Sequence, residues 1–242
     1  MREIGQHKIS IAILAGGLAT RLRPLTERIP KSLLEIAGRP FIFYQLEWLR
    51  EQGFEHVVLC VGFLGEQIQA VVGNGSALGL KIEYSFDGEQ LLGTGGAIRQ
   101  ALPLFGESFF VLYGDSYLSC KLSEIYLEYK KSKKPALMTV LNNRNLWGDS
   151  NVLFENKRIV EYNKHAPKFE MMHIDYGLGI FSSEVFDRYV KNQFFDLADV
   201  YQKLSLDGKL AGFEVSERFY EIGSYQGIRE AETFLLSKRE RL

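Results

Sequence analysis

Cysteine is nearly absent: Cys60 and Cys120 are the only two in 242 residues. Both lie beside apolar runs without metal-ligand spacing. A disulfide framework or a zinc site therefore has no support, and two free thiols in a reducing compartment are expected. Histidine is also scarce. His7, His56, His165 and His173 show neither metal-ligand nor triad spacing and read as exposed or structural. No run approaches the ~20 apolar residues of a membrane span. Residues 1–8 lack the apolar stretch of a signal peptide, so a cytoplasmic location with no membrane contact is expected. Charge of one sign is missing too: 29 Lys and Arg face 30 Asp and Glu, a net of −1. General attraction to nucleic acid is thereby excluded, and any polyanion must be held by a local cluster.

One such cluster is present. An apolar, strand-like run at residues 9–14 ends in Leu14-Ala15-Gly16-Gly17-Leu18-Ala19-Thr20-Arg21-Leu22-Arg23-Pro24-Leu25-Thr26, with Pro30-Lys31-Ser32 soon after. Small residues let the backbone come close to a ligand. Unpaired amides in such a turn form an anion-binding concavity, and Arg21, Arg23 and Lys31 can neutralise a polyphosphate. The pattern is a site for a nucleoside triphosphate. It matches neither the P-loop nor the G-x-G-x-x-G dinucleotide motif.

Along the chain, strands are predicted at residues 9–14, 56–61, 81–85, 109–113 and 136–141. Helices are predicted from Pro40 to a stop at Gly53, at 66–72, at 95–102 and at 122–131. This alternation predicts an α/β fold with a Rossmann-like, doubly wound, mainly parallel sheet, whose ligands sit beyond the carboxyl ends of the strands. After residue 141 the rhythm changes. A hairpin at 152–162, strands at 174–181 and 210–215, and a helix at 224–236 capped by Ser224 are expected. No linker, repeat or low-complexity tract interrupts the chain. One domain over 1–242 is expected, with a nucleotide part at about 9–141 and a β-rich acceptor part at about 142–242.

Two further elements stand at strand or helix ends. Leu92-Gly93-Thr94-Gly95-Gly96-Ala97 leads into a predicted helix, where free amides can face a ligand. Gly114-Asp115 ends a buried strand and places a carboxylate near the first loop, suited to a divalent cation. Trp48 reads as helix core; Trp147, in a loop, suits either core or ligand contact.

These blocks resemble the sugar-1-phosphate nucleotidylyltransferases (NDP-sugar pyrophosphorylases) from residue 9 to about 231. The family's opening motif is close to L-A-G-G-x-G-T-R-L-x-P-L-T followed by P-K, and its second is L-G-T-G-G-A. The similarity is greatest to short bacterial members, which include heptose-1-phosphate guanylyltransferases and muramate-1-phosphate uridylyltransferases. It implies the nucleotide-diphospho-sugar transferase type of sheet. It also implies nucleotide contacts from Leu14, Ala15, Gly16, Gly17, Thr20, Arg21, Gly93 and Thr94, and catalytic roles for Arg21, Lys31 and Asp115. Lys164 in Val160-Glu161-Tyr162-Asn163-Lys164 matches the lysine of F-x-E-K-P. Asn163, Lys164, Tyr176 and Gly177 would hold the sugar phosphate. Glu221 in Tyr220-Glu221-Ile222-Gly223-Ser224 stands where relatives often have D-I-G-T/S, so Asp115 and Glu221 would hold Mg²⁺. Other departures are Ala19 for Gly, Gln90-Leu91 for Glu-Pro, Asn163 for Glu and His165 for Pro.

The implied reaction joins an NTP to a sugar 1-phosphate and releases pyrophosphate. GTP with D-glycero-D-manno-heptose 1-phosphate is the first choice, with Glu83 or Glu89 as acceptors for guanine. Uridylyl, thymidylyl or cytidylyl transfer to another phosphate remains open, as do a catalytically silent sugar-nucleotide binder and homo-oligomerisation. A glycosyltransferase is disfavoured because Asp115-Ser116-Tyr117 lacks the second Asp of D-x-D. The length leaves no room for a left-handed β-helix acyltransferase domain.

Overall fold

The computed structural model describes residues 9–239. Strand β1 (Ser10–Leu14) leads, followed by the short antiparallel pair β2 (Glu35–Ile36) and β3 (Arg39–Pro40) and by helix α1 (Phe41–Glu51). Then come β4 (His56–Val61), α2 (Gly65–Val72), β5 (Lys81–Phe86), α3 (Gly93–Ala101), β6 (Ser108–Tyr113), β7 (Ser116–Tyr117), α4 (Leu122–Ser132) and β8 (Ala136–Asn142). The remainder is β9 (Val152–Glu155), β10 (Arg158–Tyr162), β11 (His173–Ser182), α5 (Leu197–Leu206), β12 (Leu210–Val215), β13 (Tyr220–Glu221) and α6 (Tyr225–Arg239).

Nine strands form one sheet in the order β5-β4-β1-β6-β11-β8-β12-β10-β9. The block β5-β4-β1-β6 is parallel throughout. β11 runs antiparallel between β6 and β8, β12 is parallel to β8, and the β9–β10 hairpin closes the edge. The expected α/β class and doubly wound, mainly parallel sheet are what the structure has. β1 is central because both of its faces are apolar. Ile11 and Ile13 point into a core with α1, α2, α4 and α6, and Ala12 points into a second core with α3 and α5.

No element is assigned from the sequence between residues 182 and 209, yet α5 lies there. Its signals are local: Leu197, Val200, Tyr201 and Leu204 are buried at helical spacing, and Asp196 caps it by accepting from Ala198 N at 3.0 Å. The helix predicted from residue 95 begins two residues earlier, at Gly93. Pro40 stands just before α1 rather than inside it, and Gly53 with φ +90° follows its end.

His56 bridges three parallel strands, with Nδ1 2.7 Å from Ser10 Oγ and Nε2 2.6 Å from Glu83 Oε2. His173 pairs with Glu214 at 3.1 Å, and exposed His165 lies 3.5 Å from Asp199. These three are structural or exposed, as expected; His7 lies outside the described residues. Both cysteines are free, and burial pushes both thiols up, Cys120 to about 12. Trp48 is core, against Tyr117.

Candidate active site

The first loop leaves β1 at the carboxyl edge of the sheet. Ala15 N donates to Cys60 O at 2.8 Å, which ties the loop to β4. Among the described residues no partner takes the amides of Gly16, Gly17 or Leu18, so three donors stay open to an anion. Ala19, where the family motif has Gly, is left-handed at φ +47° and ψ +43°. Its carbonyl accepts from Leu22 N at 3.0 Å and Thr26 Oγ1 at 2.9 Å. This turn starts the short 3-10 segment that carries Arg21.

The loop walls a cavity of 540 Å³. All eight residues expected to contact nucleotide line it, and so do Lys31, Asp115 and Lys164. A second cavity of 530 Å³ adjoins it, with Tyr176, Gly177 and Glu221 in its wall. Arg21, Tyr113 and Asp115 line both. Asp115 thus stands in the wall that the two cavities share. Lys31 Nζ donates to its Oδ2 at 2.6 Å and Ser116 Oγ to its Oδ1 at 3.2 Å. Burial pushes the Asp115 carboxyl up. The Lys31 ammonium and these hydrogen bonds outweigh that and hold it below the usual carboxylate range.

Glu221 reaches the same place through the sheet edge. β13 pairs with β7 so that Glu221 lies opposite Ser116, and Ile222 N donates to Asp115 O at 2.9 Å. One carboxylate oxygen of Glu221 accepts from Gly223 N; the other accepts from Ser224 Oγ at 2.6 Å. Ser224 Oγ in turn accepts from Gly227 N at 2.9 Å, the expected cap of α6. Gly227 has to be glycine here, because a Cβ would run into Glu221 Oε1. The site converges around Gly223. Glu221 Oε2, an Arg21 guanidinium nitrogen and Asp115 Oδ2 lie 2.7, 3.0 and 3.3 Å from where its Cβ would stand. Two carboxylates beside a phosphate cradle are hard oxygen donors of the kind that hold Mg²⁺ with substrate phosphates. Among the described residues no group of three or more His, Cys, Asp and Glu forms a cage.

The glycine-rich start of α3 uses its second pair of glycines to dock another segment. Gly95 N and Gly96 N both donate to Phe195 O, at 3.0 and 3.3 Å. Thr94 Oγ1 donates to Asp196 Oδ1 at 2.6 Å and accepts from Leu197 N at 2.8 Å. These amides are therefore spent on docking the entry of α5, and glycine is needed because a Cβ on Gly95 would enter the Phe195 ring. Gly93 and Thr94 still form cavity wall.

In the second cavity Tyr113 OH donates to Asp175 Oδ2 and Gly177 N to Asp175 Oδ1, both at 2.9 Å. Burial raises the carboxyl of Asp175 and the phenol of Tyr113. Arg218 packs between Trp147 and Tyr220, 5.1 and 4.6 Å from their ring centres, and pairs with Glu230 at 2.6 Å. Trp147 is half-buried: it packs against the apolar core and also forms cavity wall. Lys164 pairs with Asp196 at 3.3 Å.

Asn163 lines neither cavity; its Oδ1 accepts from Ala166 N at 2.9 Å and shapes the turn before Lys164. Glu83 is held by His56 and by Lys81 at 2.7 Å, and neither it nor Glu89 lines the nucleotide cavity. The sequence did not single out Asp87, Asp196 and Phe194 in the first cavity or Arg218 in the second. Asp196 was signalled by its cap position; the other three had no local signal.

A family described as Nucleotidyl transferase matches residues 11–238. An N-acetylmuramate alpha-1-phosphate uridylyltransferase of Neisseria meningitidis is 31% identical, over 91% of this chain and 95% of that one. A D-glycero-alpha-D-manno-heptose 1-phosphate guanylyltransferase of Campylobacter jejuni is 29% identical, over 87% and 93%. The chain spans 58% of the length of a UTP--glucose-1-phosphate uridylyltransferase of Synechocystis, to which it is 30% identical. The crystal structure of HddC from Yersinia pseudotuberculosis complexed with GMP-PN shares the fold, with a TM-score of 0.75 at 21% identity over 94% of this chain and 99% of that one.

Proposed function

The chain belongs to the nucleotidyl transferase family, and on that premise we propose that it transfers a nucleotidyl group from an NTP to a sugar 1-phosphate. Pyrophosphate leaves and an NDP-sugar forms. The observation that carries this reading is the position of Asp115 in the shared wall of two adjoining cavities, one with a phosphate cradle and one lined by aromatic and carboxylate side chains. Aromatic faces and fixed carboxylates suit a sugar's C–H surfaces and hydroxyls.

An oxygen of the acceptor phosphate attacks the α-phosphorus in line. That phosphate is already ionised at neutral pH, so no general base is required, and the protein's task is positioning and charge neutralisation. Arg21 and the open amides of residues 16–18 hold the departing β,γ-phosphates. Lys31 holds the α-phosphate, and Lys164 the acceptor phosphate. Asp115 and Glu221 are the residues that would hold Mg²⁺, which when bound supplies charge neutralisation between attacking and departing oxygens. Residues 9–141 supply most of the nucleotide cavity, joined there by Lys164, Phe194, Asp196 and Gly223, and residues 142–242 supply most of the acceptor cavity, joined there by Arg21, Tyr113, Asp115 and Ser116.

GTP and D-glycero-D-manno-heptose 1-phosphate are the first pair to test, in a cytoplasmic supply of NDP-sugars for cell-surface polysaccharide. In support of the location, no helix among the described residues is long and apolar enough to cross a membrane. The deciding experiment is a pyrophosphate-release screen of four NTPs against heptose, muramate, mannose and glucose 1-phosphates. Release with one pair supports the reading. Tight NDP-sugar binding with no release from any pair overturns it in favour of a silent binder.

A further inference from the structure

Helix α1 is a core helix, on which Phe41, Ile42, Leu46 and Leu49 are wholly buried. Gln45 sits among them and is wholly buried too. Its Nε2 donates to Tyr113 O at 2.9 Å and to Ser116 O at 2.8 Å. Its Oε1 is buried with no hydrogen-bond partner among the described residues. Turning the amide over would set that oxygen against two carbonyl oxygens, so the two acceptors fix its orientation. A buried acceptor without a donor is costly. An apolar side chain of similar size would avoid that cost, so the two bonds of the amide nitrogen have to offset it.

Those two bonds bracket Asp115. Tyr113 ends β6 and Ser116 starts β7, so one nitrogen spans the turn that carries the carboxylate. Gly114 N donates to Leu14 O at 3.0 Å, and Ile222 N to Asp115 O at 2.9 Å. The turn is therefore tied to the end of β1, to the residue after β13 and to α1. The first two ties run from backbone to backbone; the third depends on one side chain. Gln45 lines neither cavity, so it reaches a ligand only through the turn.

We propose that Gln45 is a positioning residue for Asp115, resting on the nucleotidyl-transfer reading above for what Asp115 does. It fixes the separation of Tyr113 O and Ser116 O, and with it the place of the carboxylate beside Lys31 and Glu221. A displacement of ~1 Å in such a group costs on the order of 10²-fold in rate, and Mg²⁺ tolerates little departure from octahedral geometry. The cations and open amides of the first cavity stand on other elements, the loop after β1 and the 3-10 segment at Lys31–Leu33. Loss of Gln45 therefore falls on turnover and metal use and spares NTP affinity.

Gln45→Met keeps the length of the side chain and removes both donors. Gln45→Asn keeps an amide one methylene too short to span both carbonyls, and takes its place if methionine fails to fold. Gln52 stands at the end of the same helix and accepts from Leu122 N at 3.1 Å, away from the turn; Gln52→Met is the control for loss of an amide contact on α1. Pyrophosphate release is measured with one accepted substrate pair over a Mg²⁺ titration, with parallel thermal melts. In Gln45→Met kcat should fall about tenfold to a hundredfold. KM for the NTP at saturating Mg²⁺ should stay within about threefold, and half-saturating Mg²⁺ should rise by about threefold or more. Gln52→Met should lower the melting temperature with kcat within about twofold of wild type. Unchanged kcat in folded Gln45→Met overturns the inference, as does an equal loss of kcat in Gln45→Met and Gln52→Met. Hydrogen exchange reads the turn without turnover. The amides of Gly114 and Ile222 should exchange about tenfold faster or more in Gln45→Met, relative to those of β4; equal acceleration across the sheet overturns the positioning role. If wild type releases no pyrophosphate from any pair, the transfer reading fails by itself, and the exchange pattern still decides whether Gln45 holds the turn.

Discussion

Lys31 Nζ stands 2.6 Å from Asp115 Oδ2, so the lysine of the first loop and the carboxylate that ends β6 neutralise each other across the cavity floor. The pair keeps Asp115 ionised at neutral pH despite its burial. It also holds a flexible ammonium in the wall of the first cavity. An incoming phosphate and cation can share these two groups without rebuilding the backbone, because the elements that carry them are fixed by β6, by the β7–β13 pair and by the short 3-10 segment at Lys31–Leu33.

Asp115→Asn keeps the shape and the Ser116 contact but removes the charge. We expect kcat to fall by at least ~10²-fold, the order for losing one preorganised electrostatic group, with the melting temperature within about 2 °C of wild type. Glu221→Gln should act in the same direction, more weakly. Chelation by EDTA should abolish turnover in wild type, and added Mg²⁺ should restore it. Steady-state pyrophosphate release with parallel thermal melts checks this. Near-wild-type turnover of Asp115→Asn in Mg²⁺ would remove it from the metal set.

Arg21 faces both cavities, whereas Arg23 lines neither. Arg21→Ala should therefore cost at least tenfold more kcat/KM than Arg23→Ala, a gap of about 1.4 kcal/mol or more. Equal mild effects would show that the guanidinium of Arg21 does not meet the departing pyrophosphate.

Ala19 holds a left-handed backbone that costs a non-glycine residue about 1 kcal/mol. Ala19→Gly should relieve that, minus the extra entropy of glycine in the unfolded chain, and raise the melting temperature by about 1–2 °C. A lower melting temperature would show that the turn is not limited by the Ala19 conformation.

Gly95→Ala would drive a Cβ into the Phe195 ring. Overpacking of this kind costs about 1–3 kcal/mol. The melting temperature should drop by several degrees, and NTP affinity should weaken because the α3–α5 junction is cavity wall. Wild-type stability and affinity in Gly95→Ala would show that the entry of α5 yields easily.

The first loop was legible as a cavity wall because its parts are contiguous: a buried strand, small residues and cations within a short span. Asp115 was legible because it ends a strand whose neighbours already converge there. The docking role of Gly95 and Gly96 at the start of α3 was not legible, for a physical reason. Glycines at a helix N-terminus suit an anion, but they equally suit another backbone, and Phe195 arrives from far along the chain to take their amides. Asp87 and Arg218 lay beyond local reading, since only the sheet order and the packing of β13 against β7 bring them to cavity walls. Asn163 occupies the right motif position yet turns its side chain to Ala166.

The β7–β13 ladder has a kinetic meaning. It consists of two residues on each side and joins Ser116–Tyr117 in mid-chain to Tyr220–Glu221 near the last helix, so its closure carries a high loop entropy and few bonds of its own. A folding chain can complete β1, β4, β5 and β6 with the phosphate loop and Asp115 in place while Glu221 is still unattached. In a refolding experiment turnover should therefore appear after the bulk of the sheet signal, which makes activity a clock for the last contact rather than the first.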